Sequence, residues 1–263
     1  MQFQNYHRMR FDYEGRVLTV TIEGNGVNAV DAAMHEDLAR VFADLQRDRD
    51  SDIIVLTGRG RAFCAGGDFD WFQEQINDPR TFRDIGHEAK RIVGGLLDLE
   101  KPIICRMNGA AAGLGATIAL LCDVIVAEEN AKIGDPHVKV GLVAGDGGAV
   151  IWPQLIGFAR AKEFLMTGDL MTARRAAEIG LVNYAVPAAE LDSKVAELVE
   201  KIAANPRWAV RWTKTVMNIQ LKDIANKLMD ASIAYEMASN MTADRREAVA
   251  AFVEKRKPVL SGE

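Results

Sequence analysis

The chain has 263 residues, of which 49% are hydrophobic and 26% charged, with a formal net charge of −5. That length supports one large core or a core with an appendage, and the composition is that of an ordinary globular protein. The negative balance argues against nucleic acid or an anionic membrane as the main partner, and no uninterrupted apolar run is long enough to span a bilayer.

The start, Met1-Gln2-Phe3-Gln4-Asn5-Tyr6-His7-Arg8, lacks the apolar core of a secretory signal. Val17 to Ile22 alternates and is rich in β-branched residues, which predicts a strand. Asp31 to Leu45 has helical spacing, with Met34, Leu38, Val41, Phe42 and Leu45 on one face. Ile53 to Thr57 reads as a strand, residues from about Phe82 to Leu99 as a helix, and Ile103 to Met107 as another strand. A helix over Leu114 to Cys122 and a strand over Asp123 to Ala127 follow. Alternating strands and helices imply an α/β protein with parallel strands and right-handed crossovers. A strand and turn between His137 and Asp146 would return Asp146 toward the histidine. The tail is helical from Ala188 to Lys201 and from Pro206 to Phe252, with Asn205-Pro206 marking a start. These features divide the chain into a core over 1–200 and a helical region over 201–263. Trp208, Trp212 and Val216 share one helical face, a pattern of packing or subunit contact rather than ligand stacking. Cys64, Cys105 and Cys122 lie in apolar or motif segments without a CxxC pair, which points to reduced thiols in a cytoplasm.

The chemistry concentrates in two segments. Arg61-Ala62-Phe63-Cys64-Ala65-Gly66-Gly67-Asp68-Phe69 follows the strand at Ile53. Asn108-Gly109-Ala110-Ala111-Ala112-Gly113-Leu114-Gly115 follows the strand at Ile103. Two glycine-rich strand exits can bring two backbone N–H groups around one oxygen, the arrangement of an oxyanion hole. Other signatures are missing. Gly145-Asp146-Gly147-Gly148 has no following Lys-Ser/Thr and is not a P-loop. There is no G-x-S-x-G elbow. His7, His35 and His87 stand alone on surface or helix positions, and Asp135-Pro136-His137 is too isolated for a metal site.

The two segments closely resemble the crotonase (enoyl-CoA hydratase/isomerase) superfamily. The similarity continues through Leu121 to Ala127, Val140-Gly141-Leu142, Met166 to Asp169, Ala177 to Asn183, Arg245 to Ala248 and Phe252 to Arg256. It implies a spiral of repeated ββα units with a helical C-terminal region that builds trimers, commonly paired as hexamers. It implies an acyl-CoA substrate, with coenzyme A entering as part of that substrate and no separate cofactor. By the resemblance, Gly67 and Leu114 supply the two oxyanion N–H groups. Cys64, Ala65, Gly66, Asp68, Gly113 and Thr117 are candidates for substrate or CoA binding, while Phe252, Lys255, Arg256 and Arg61 are candidates for the nucleotide end. Asp68 anchors its loop through backbone N–H groups. Cys64 carries no catalytic role.

The two glutamates of the standard hydratase are replaced by Thr117 and His137, so its two-carboxylate mechanism does not transfer. His137 titrates near neutrality, and Asp146 would orient it and strengthen it as a base. Pro136-His137 with Gly145-Asp146-Gly147 resembles the β-diketone hydrolase branch, such as oxocamphor hydrolase, although that branch departs from the loop at Ala65–Asp68. Three readings follow: acyl-CoA chemistry through an enolate, carbon–carbon hydrolysis of a β-dicarbonyl, or a CoA-ester-binding or assembly subunit without turnover.

Overall fold

A computed structural model describes residues 3–263; Met1 and Gln2, the first residues of the polar start, lie outside them. A hairpin, β1 (Met9–Glu14) and β2 (Val17–Ile22), opens the chain. It is followed by α1 (Ala32–Arg47), β3 (Ile53–Gly58), β4 (Ala62–Cys64), α2 (Phe69–Asn77) and α3 (Thr81–Asp98). Next come β5 (Ile103–Met107), β6 (Ala110–Ala112), α4 (Leu114–Leu120), β7 (Val124–Glu128) and β8 (Lys132–Gly134). A 3₁₀ turn at His137–Val140 precedes α5 (Gly148–Thr167), β9 (Met171–Thr172), α6 (Ala173–Glu178) and β10 (Tyr184–Val186). Three helices end the chain: α7 (Leu191–Ala203), α8 (Arg207–Asn240) and α9 (Ala243–Val253).

The strands form two sheets, of order β1-β2-β3-β5-β7-β10 and β4-β6-β8-β9. From β2 to β10 the first sheet is parallel, while β1 pairs antiparallel with β2. Each repeat therefore sends one strand to the large sheet and a short one to the small sheet before its helix. This is the ββα spiral expected from the resemblance. The apolar face of α1 (Met34, Leu38, Val41, Phe42 and Leu45) is buried in the main core, as its spacing requires. Asp31 caps α1 by accepting from the Met34 N–H at 2.8 Å.

Several segments differ from the sequence reading, and two of them bear on the site. The stretch between His137 and Asp146 is a 3₁₀ turn and loop, not a strand. Gly141, at φ 73° in the left-handed region, ends the turn there. α5 was not expected, because Pro153 and a non-helical Gly157 interrupt its periodicity.

Candidate active site

Both glycine-rich exits leave the small sheet at the same end. β4 pairs with β6 in parallel, with Cys64 opposite Ala111. Gly115 lies so close to β4 that a Cβ there would stand 2.1 Å from the Cys64 carbonyl oxygen. A small-residue crossing therefore brings the loop at Gly67 against the start of α4 at Leu114. The Leu114 N–H is one of the orphan donors of a helix N-terminus. Among the described residues, neither it nor the Gly67 N–H is taken by a carbonyl or side chain. Asp68 caps α2, accepting from the N–H groups of Asp70 (2.9 Å) and Trp71 (3.4 Å), which pins the loop beside Gly67.

A pocket with about 530 Å³ of empty space, its open mouth included, begins at these amides. Gly67, Leu114, His137 and Asp146 all line it. Gly113 lies against the imidazole: a Cβ there would sit 3.2 Å from His137 Cε1. Asp146 Oδ2 is 3.5 Å from His137 Nε2, and the Thr117 hydroxyl donates to Asp146 Oδ1 at 3.4 Å. Thr117 is thus a prop for the carboxylate. Cys64 is fully buried, and burial pushes its thiol up to about 11, so it stays neutral.

Three features of the pocket were not legible at first reading. The group that orients His137 is Asp135, bonded to Nδ1, and not Asp146, which stands at the opposite nitrogen. Glu236 of α8 lines the same pocket although it is far away in sequence. His35 is not a lone surface histidine: it is buried against Trp71, with Nδ1 2.5 Å from Glu88 Oε2. A signal for Glu236 existed. It falls on the buried stripe Ala225, Met229, Ile233 and Asn240 of α8, where a carboxyl is costly without a purpose.

Electrostatics change the role of the histidine. Burial alone would drive its proton off, but Asp135, Asp146 and Glu236 outweigh burial and hold His137 up to about 10. It is therefore an imidazolium at neutral pH, where the sequence suggested a free base. Asp146 is held above the usual carboxylate range: burial pushes it up, His137 pulls it only part of the way back, and Asp135 adds to the rise. Burial, together with Asp146 and Asp135, raises Glu236 to about 8, so it keeps its proton at neutrality. The pocket can both give and accept protons. Donor atoms of Asp135, His137 and Asp146 lie within 4.8 Å of one another. The two carboxylates, however, sit at opposite ring nitrogens, which suits a hydrogen-bonded relay better than a shared coordination shell.

Of the residues proposed for the nucleotide end, Phe252 is tied to the pocket, through Phe69 and the lining residue Phe72. Phe252 of α9 stacks on Phe69 of α2 at 4.3 Å. Arg256 is already paired with Glu247 and Glu254, whereas Lys255 has no ion pair among the described residues. Arg61 is exposed beside the first loop.

Comparison with known proteins agrees with this geometry. Residues 12–263 match the family described as enoyl-CoA hydratase/isomerase. A 1,2-epoxyphenylacetyl-CoA isomerase of Escherichia coli is 32% identical, over 95% of this chain and 96% of its own. A crystal structure of an enoyl-CoA hydratase/isomerase from Mycobacterium paratuberculosis superposes with a TM-score of 0.88 at 34% identity, covering 92% of this chain and 97% of that one. A β-diketone hydrolase from the cyanobacterium Anabaena, bound to (S)-3-oxocyclohexyl acetic acid, has a TM-score of 0.84 at 31% identity, over 91% and 96% of the two chains.

Proposed function

Because the chain belongs to the enoyl-CoA hydratase/isomerase family, we propose that it carries out enolate-forming proton transfer on an acyl-CoA thioester. The observation that carries this reading is one pocket shared by two unpartnered amides, Gly67 and Leu114, and the His137–Asp146 pair. The thioester oxygen sits between the two N–H groups. Asp146 takes a proton from the carbon next to the thioester, and the C–H electron pair moves onto the carbonyl oxygen as an enolate. The two amides stabilise that charge; losing one such donor typically costs about 3 kcal/mol of transition-state stabilisation. His137 or protonated Glu236 then returns a proton to the same carbon or to a conjugated one. Gly66, Ala65, Gly113 and Asp68 keep the loops in register, Thr117 steadies Asp146, and Lys255 with Phe252 meets the nucleotide end. We read the protein as a cytoplasmic homotrimer or homohexamer.

A second reading is hydrolytic carbon–carbon cleavage of a β-dicarbonyl. His35, which lines the pocket and is bonded to Glu88 behind it, favours it by adding a second imidazole to the pocket wall, beyond what one proton relay needs. One experiment separates the readings. Saturated, enoyl and 3-oxoacyl CoA esters are incubated with the protein in D₂O and followed by mass spectrometry. Deuterium entering the carbon next to the thioester supports the first reading. No exchange with any ester, together with hydrolysis of a free cyclic β-diketone, supports the second. Ester binding with neither outcome would mark a subunit without turnover.

A further inference from the structure

A second pocket lies at the other end of the large sheet. Its walls come from the first residues of β2 and β3 (Val17, Ile53), from Pro102 before β5, and from the α7–α8 junction. The proposed active site follows the opposite strand ends, and a six-residue strand spans roughly 20 Å, so the two pockets are separate. The cavity, with about 670 Å³ of empty space, its open mouth included, has an apolar floor of Val17, Ile53, Pro102 and Val210 under a rim of Arg16, Arg207 and Arg211.

Asp52 is the anion of that rim. Arg16 bonds to it, Arg211 Nη2 donates to it at 2.9 Å, and Arg207 Nη1 at 3.3 Å. Three arginines against one aspartate leave two positive charges on the lining. Asp48, behind the rim, is already paired with buried Lys101. Arg211 is nearly buried, and its Nε finds no acceptor among the described residues. Burial depresses its pKa; Asp52 and Glu100 resist, while Arg207 and Arg16 push further down. α8 begins at the same rim with no side-chain cap and no acidic residue in its first turn. The N–H groups of Arg207, Trp208 and Ala209 have no acceptor among the described residues, so the helix adds its own partial positive charge.

We propose that this pocket binds a phosphate-bearing anion. A phosphomonoester carries about −1.5 to −2 charges near neutrality, which matches the two uncompensated arginines. Guanidinium forks suit its oxygens, and the apolar floor accepts the organic part. Carboxylates fit less well, because one negative charge leaves the rim still unbalanced.

The test does not depend on the acyl-CoA reading. Inorganic phosphate, phenyl phosphate and acetate are titrated into the whole protein by calorimetry, with saturating CoA present and absent. Phosphate should bind with a Kd in the millimolar range or tighter. Phenyl phosphate binding more tightly than phosphate would point to an organic phosphate as the occupant; equal affinity would point to the free ion. Arg211→Met should weaken binding roughly tenfold or more, the scale of one lost charged hydrogen bond. If that variant does not fold, Arg207→Met at the exposed edge serves the same purpose. Arg207 and Arg211 both lie 5.4 Å from the Trp208 ring centre, so binding should also shift tryptophan emission, and Trp208→Phe should abolish that signal. Binding unchanged in Arg211→Met and Arg207→Met, with or without CoA, or equally strong for acetate, would overturn the proposal. So would no binding at all.

Discussion

His137 holds its proton because three carboxyl groups face one imidazole in a buried space. Burial by itself works the other way, so the charge count decides the outcome. Two predictions follow from this at the scale of single residues. His137→Ala should lower turnover by about 10²–10⁴, the usual worth of an acid–base group, with CoA-ester binding nearly intact because proton transfer acts in the transition state. Single-turnover assays and calorimetry measure the two effects, and equal losses in both would remove His137 from the chemistry. The second prediction concerns pH. Folded Glu236 keeps its proton to about 8 against an ordinary 4.5, and His137 to about 10 against 6.5. Both values are raised, so the stability these groups contribute is full below 4.5 and 6.5 and is lost as pH rises through about 8 and then about 10. Glu236→Gln, which stays neutral, should match wild type below about pH 4.5 and become progressively the more stable protein as pH rises from 4.5 to about 8. Thermal melts across that range test it; a constant gap between the two proteins would mean Glu236 is not held neutral by the fold.

Elements, not single residues, bring these groups together, and elements were legible to different degrees. Val17–Ile22 and Ile53–Thr57 announced themselves by β-branching, and α1 by its apolar face. Ala110–Ala112 carries no strand signal of its own; it pairs as β6 between β4 and β8, where Gly109 and Gly115 let the chain lie against the backbone of Arg61 and Cys64. Gly67, Leu114, His137 and Asp146 could be named from motifs because they lie on short segments with fixed spacing. Glu236 and His35 could not, since only the packing of α8 on α3 and of α3 on α1 brings them to the pocket, with Glu88 behind His35. Arg245 shows how α9 joins these parts. It is fully buried, Nη1 donates to the Val140 carbonyl at 2.6 Å, and its guanidinium carbon is 4.6 Å from the centre of the Phe72 ring. That ring in turn lies against Gly67, where a Cβ would meet it at 2.3 Å. One side chain thus braces both the turn that carries His137 and the aromatic wall beside the oxyanion loop. Arg245→Met should cost about 1–3 kcal/mol for the stranded Val140 carbonyl. It should also weaken CoA-ester binding, and urea denaturation paired with calorimetry reads both effects. A variant of wild-type stability would show that the Val140 bond carries little.

The whole molecule presents an apolar surface that a lone chain gains nothing by exposing. Trp212 is 57% and Val216 66% exposed on α8, with Trp208, Met217 and Ile219 exposed beside them. Leu221, further along α8, is half-buried against the main core. Below this surface a groove runs along Leu121, Leu155, Ile202, Val210 and Met217. Contiguous apolar area on this scale marks an interaction site, and burying a large apolar side chain is worth about 1.5–3 kcal/mol. The expectation is therefore a trimer or hexamer assembled through the first half of α8. Trp212→Glu with Val216→Glu should give monomers, because paired carboxylates at a desolvated contact cost more than the packing they replace. Both positions are exposed within the chain, so the monomer should keep its helical signal and its unfolding cooperativity. Light scattering at micromolar concentration distinguishes the outcomes. A wild type that is already monomeric, or a double variant that assembles as wild type does, would locate the subunit contact elsewhere. The second outcome would leave the tryptophan face to a different partner.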